Sequence, residues 1–115
     1  MDLIKQYKIN FFHKNIHGRP YYGMTSVNHL LSQLITDDQH EDDVVETIEA
    51  FRSLLNGEIN NIEYSGESLT TIVADTSSVS IYDNPNFNNN TEKFSLPTAD
   101  FFELVKLWIK YLTSH

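Results

Sequence analysis

Residues 41–65 read EDDVVETIEAFRSLLNGEINNIEYS, and the hydrophobic period changes within them. Val44, Val45, Ile48, Phe51, Leu54 and Leu55 recur at spacings of three and four, the stripe of an amphipathic helix. Glu41, Asp42 and Asp43 suit the positive end of such a helix, and Gly57 suits the left-handed position just past its other end. A helix is therefore predicted over 41–56. Beyond Gly57 the period drops to two, which predicts strands near 58–64, 69–75, 78–82 and 93–96. The intervening segments, Ser65-Gly66-Glu67, Thr76-Ser77 and the asparagine-rich 84–90, are shorter than the dozen residues a parallel crossover needs. The strands should form an antiparallel meander.

On the N-terminal side, Val27, Leu30, Leu31, Leu34 and Ile35 repeat the helical spacing, with Thr25 or Ser26 available as N-cap. This predicts a helix over 25–36, joined to the next by the polar segment Asp37-Asp38-Gln39-His40. Earlier still, 4–12 alternates apolar Tyr7, Ile9 and Phe11 with polar Gln6, Lys8 and Asn10, the pattern of a strand with one buried face. Between them, 13–23 holds Asn15, Gly18, Pro20 and Gly23 and is expected to be a loop or short irregular hairpin. On the C-terminal side, Thr98 follows Pro97 as the cap of a last helix over 98–113. Its buried stripe is Phe101, Leu104, Val105, Trp108, Ile109 and Leu112, with Asp100 and Glu103 early and Lys106 and Lys110 late. Helices segregated from an antiparallel sheet of four to five strands give an α+β fold, expected as a single domain over 1–115.

Composition narrows the function classes. With 40% hydrophobic residues the chain has the material for a core, and with no cysteine it has no disulfide, thiolate metal ligand or thiol nucleophile. That is compatible with a reducing, cytoplasmic setting. Neither an export signal nor a membrane-spanning run is expected from the sequence. No phosphate loop, nucleophile elbow, zinc-protease helix or dinucleotide fingerprint stands in it, so the expectation is no enzyme and no cofactor. His13 and His17, four apart, straddle a strand end and a loop, which removes the helical geometry a metal pair needs. Asp37, Asp38, Asp42 and Asp43 lack the central glycine and terminal glutamate of a calcium loop. No metal site is expected. Ser26, Ser32 and Asp37 can be imagined as triad members, but only spatial hydrogen bonds define such a site.

Charge carries the strongest functional signal. Residues 36–103 hold 15 of the 16 acidic side chains against only Arg52 and Lys93, a net −13 (2 minus 15) within a chain of net −8. Such a surface attracts a basic partner and disfavours bare nucleic acid. Asp42 and Glu46 are four apart and Glu46 and Glu49 three apart, so their carboxylates share one helix face and repel one another. Either the ridge is an ordinary solvated face, or a basic partner completes it. The candidate partner-binding residues are Asp37, Asp38, Glu41, Asp42, Asp43, Glu46 and Glu49. Tyr21 or Tyr22 is a candidate aromatic anchor.

The acidic helix at 41–56, the closing block FSLPTADFFELVKLWIKYL at 94–112 and the small, acidic, cysteine-free α+β character together resemble bacterial toxin-immunity proteins. The resemblance is strongest to those of contact-dependent growth inhibition systems. It implies a protein without catalytic activity that binds a cognate toxin domain, often a basic nuclease, and blocks its active site or a neighbouring surface. Two other readings remain open at this level: a small intracellular adaptor or regulatory domain, and an enzyme using carboxylates such as Glu63 or Asp75 as acid and base. Neither nucleic acid nor membrane is an expected partner, and the oligomeric state is left open.

Overall fold

The computed structural model describes residues 2–66, 68–88 and 90–114. Glu67 and Asn89, which fall within two of the expected inter-strand segments, lie outside the described residues. The elements run α1 (Leu3–Gln6), β1 (Asn10–Ile16), β2 (Arg19–Thr25), α2 (His29–Thr36), α3 (Glu41–Leu55), β3 (Asn61–Ser65), β4 (Thr71–Asp75), β5 (Ser78–Tyr82), β6 (Lys93–Pro97) and α4 (Thr98–Ser114). The fold is α+β.

The meander β3-β4-β5-β6 is antiparallel throughout. Its registers align Ile62, Ala74, Val79 and Leu96 in one row and Tyr64, Ile72, Ile81 and Phe94 in the next. Alternation places both rows on the helix-covered face, where Ile72, Val79 and Ile81 are fully buried. Phe51 of α3 meets Phe101 of α4 at 4.9 Å between centroids, and Trp108 completes this core from α4. Gly57 has φ +78, and Glu58 N donates to Ser53 O while Gly57 N donates to Leu54 O. These two bonds close α3 in a Schellman motif.

The N-terminal third departs from the sequence expectation. Of the strand expected over 4–12, only 10–12 are strand, at the start of β1; the part before them begins as a helical turn, because Asp2 caps Ile4 N at 3.0 Å, and Lys8, at φ 54, reverses the chain before β1 begins. Tyr7 and Ile9 are buried as expected, but in the segment between α1 and β1 and not in a strand. The segment 13–23, expected as a loop or short irregular hairpin, is a regular hairpin. Ile16 pairs with Arg19 around a two-residue turn, His17-Gly18, with φ 51 and 78, the type I′ geometry whose twist matches the strands it joins. Its two strands form a separate sheet.

Helix α2 starts at His29, three to four residues after the expected cap. Thr25 is still paired in β2, and the cap is Asn28, whose side chain accepts from Leu30 N at 2.8 Å. Thr98 does not cap α4 with its side chain. The helix follows β6 without a break, and the Thr98 hydroxyl donates to Asp75 O at 2.7 Å, tying the helix start to the β4–β5 turn.

Two side chains from α2 and the joint after it close the outer edge of β2. Gln39 Nε2 donates to Tyr22 O at 2.7 Å while Tyr22 N donates to Gln39 Oε1 at 3.0 Å. Thr36 Oγ1 accepts from Met24 N at 3.2 Å. The edge is thus covered by side chains in place of another strand.

Candidate partner-binding face

The segment between α2 and α3 is the centre of the site, since Asp37, Asp38 and Gln39 are each held by a different neighbour. Trp108 Nε1 donates to Asp38 O at 2.8 Å, and Thr47 Oγ1 reaches Asp38 Oδ2 at 3.5 Å. Asp37 Oδ2 accepts from Ser68 N at 3.2 Å and from the Ser68 hydroxyl. A Cβ at Gly66 would come 2.5 Å from that oxygen, so the β3–β4 loop leaves the carboxylate its space. The two adjacent aspartates therefore point to opposite sides of the joint, one toward the β3–β4 loop and one toward α3.

Helix α3 begins at Glu41 without a side-chain cap from His40, and Glu41, Asp42 and Asp43 occupy its first turn. Their charge offsets the positive end of the helix, which accounts for part of the acidity. Asp42, Glu46 and Glu49 are exposed on one face, the ridge expected from their spacing. Among the described residues no ion pair engages Glu41, Asp42, Asp43, Glu46 or Glu49. Arg52, three residues after Glu49, has its guanidinium 5.9 Å from the centroid of the Phe102 ring. Its charge is spent on an aromatic face of α4.

Beside the ridge runs a groove of about 310 Å³ between α3 and the edge strand β3. Asp38, Asp43 and Glu46 supply its carboxylates, with Ile62 and Tyr64 on the sheet side. Burial raises the Tyr64 pKa, with the charge of Asp38 adding to the effect, so its hydroxyl stays protonated. Of the seven expected residues, the structure gathers Asp38, Asp43 and Glu46 around the groove, sets Asp42 and Glu49 on the adjoining ridge and leaves Glu41 exposed at the start of α3. Asp37 is turned away.

A second and larger depression, about 630 Å³, opens between the hairpin and α2. Phe12 and Tyr21 form one wall, Ser26, His29 and Ser32 the other, and Asp37 with Ser68 the end. No sequence motif marks it, because its walls come from a hairpin and a helix whose proximity only the fold provides. Within it Ser26 Oγ lies 2.8 Å from Ser32 Oγ, while Asp37 bonds Ser68, so the imagined triad of Ser26, Ser32 and Asp37 is not assembled. His29 is exposed, with Nε2 3.5 Å from Glu92.

The remaining sequence candidates are dispersed. His13 Nδ1 lies 2.9 Å from the Tyr111 hydroxyl, and His17 sits in the hairpin turn, so the two do not form a pair. Among the described residues no three His, Asp or Glu side chains converge as a metal site. Glu63 and Asp75 are both exposed on the sheet. The backbone amides of Ser78 and Ser77 hold the Asp75 carboxyl below its usual range, the reverse of what a general acid needs. Tyr22 packs edge-on to Tyr111 at 6.2 Å, whereas Tyr21 stands beside Lys14 on the other face of the hairpin. No described helix is long and apolar enough to cross a membrane.

No family model, curated protein or solved structure matches this chain.

Proposed function

We propose that this protein is an immunity protein: it binds a cognate toxin domain with a basic surface, of the nuclease class, and neutralises it by covering that surface. The observation that supports this is the α3 ridge. Five carboxylates in nine residues, 41–49, stand exposed and, among the described residues, without an ion-pair partner, beside a groove whose sheet wall is the apolar and aromatic pair Ile62 and Tyr64. Such a site combines charge attraction, which speeds encounter, with a partly apolar wall, which retains what has docked. A nuclease domain must carry Lys and Arg to hold phosphate, and an acidic face seated there denies the place to nucleic acid. On this reading the protein acts in the cytoplasm, where that nucleic acid lies.

The test is association with a candidate toxin domain measured at rising salt. Wild-type affinity should fall steeply, and Glu46→Lys with Glu49→Lys should slow association by at least tenfold, equivalent to about 1.4 kcal/mol. Circular dichroism should show both proteins equally folded. An unchanged association rate in the folded double variant would remove α3 from the interface.

A further inference from the structure

The cleft between the hairpin and α2 and the acidic groove lie on either side of the same joint, Asp37-Asp38, with Asp37 closing the cleft and Asp38 lining the groove. A partner lying across the joint meets both. Three properties of the cleft define the group it accepts. Among its lining residues Asp37 is the one carboxylate, and neither Lys nor Arg lines it. Asp37 Oδ2 is engaged by Ser68, while Oδ1 has no hydrogen bond among the described residues. One wall is formed by Phe12 and Tyr21, aromatic rings of the kind a flat cation lies against, and the Lys14 ammonium, 6.0 Å from one centroid and 5.8 Å from the other, must give way to an incoming cation at that wall.

We infer that this cleft is an anchor pocket for an arginine side chain of the basic partner. A guanidinium is flat enough to lie against Phe12 or Tyr21, and its five N–H donors match acceptors distributed around a wall. Here those acceptors are the Asp37 carboxylate and the Ser32 hydroxyl, since Ser26 Oγ is already engaged by Asn28 and Ser32. Lysine fits less well, since a compact ammonium cannot stack and bridge at once. The inference rests on the proposed basic partner, and it adds a second contact on the far side of the joint from the α3 ridge.

The test needs no toxin. N-acetyl-arginine methylamide is titrated into isotope-labelled protein and followed by amide chemical shifts, with the citrulline analogue, isosteric but uncharged, as control. Saturable shifts are expected around Phe12, Tyr21, Asp37 and Ser68 with the arginine probe alone. Asp37→Asn keeps an oxygen for Ser68 but removes the charge, and it should weaken the probe about tenfold. Tyr21→Ala should weaken it as well. Equal shifts with citrulline, no saturation, or full affinity in folded Asp37→Asn would overturn the assignment. Each of those results leaves the groove untouched. Conversely, Glu46→Lys with Glu49→Lys tests the groove and should leave probe saturation in the cleft intact.

Discussion

Tyr7 donates its hydroxyl proton to Asp100 Oδ2 across 2.6 Å, joining the turn before β1 to the first turn of α4. Burial first, and then the bond to Asp100 and its negative charge, push the tyrosine pKa from 10.0 up to about 12. A raised native value means that the folded protein keeps its proton where the unfolded chain has lost it. This contribution to stability is therefore complete below pH 10 and disappears as pH climbs toward about 12. Tyr7→Phe should cost about 1.5–3 kcal/mol at neutral pH, the worth of a hydrogen bond to a charged acceptor. Urea unfolding from neutral to alkaline pH should also show a shallower decline for the variant than for wild type. The decline does not vanish, since the Tyr64 pKa is raised too. Identical slopes would mean that the Tyr7 hydroxyl is solvated and not bonded.

The β1–β2 hairpin is the element that sequence patterning described least well, and the reason lies in three residues. Gly18 and Pro20 read as breakers, yet Gly18 takes the left-handed φ of a type I′ turn, and Pro20 sits in a two-stranded sheet that has no central strand. Gly23 reads as a third breaker, but the Phe12 ring lies over it, and an added Cβ would fall 2.1 Å from the ring. The glycine is there to be covered. By contrast α3, the meander and α4 follow directly from period and turn chemistry, because each buries one regular face on the same core. The acidic ridge was visible for the same reason, while the cleft was not, since it joins residues from elements that patterning did not place together. The turn itself offers a check. His17 holds φ 51, a conformation that asparagine adopts more readily, and Asn-Gly is the preferred type I′ pair. His17→Asn should stabilise the protein by about 0.5 kcal/mol, seen as a higher urea midpoint with an unchanged slope. A lower midpoint would show that the imidazole makes a contact worth more than the turn preference.

Across the whole molecule, the net −8 is concentrated where it opposes folding. Glu46 has Asp42 four residues before it, Asp43 three before and Glu49 three after, all like charges on neighbouring positions of one helix. An acidic helix start explains Asp42 and Asp43, but no element of the fold requires a carboxylate at Glu46. If the ridge is retained for a partner, then relieving it should improve stability and harm binding together, the trade expected at a surface shaped by function. Glu46→Lys turns three repulsions into attractions, each exposed pair being worth a few tenths of a kcal/mol. The variant should be more stable than wild type by about 1 kcal/mol at low ionic strength, and most of the gain should vanish in 1 M salt, where charges are screened within about 3 Å. Denaturant unfolding at the two salt concentrations reads this directly. A variant no more stable at low salt would mean that the carboxylates do not strain the helix. The ridge would then be an ordinary solvated face, and the case for a partner docking on α3 would lose its physical basis.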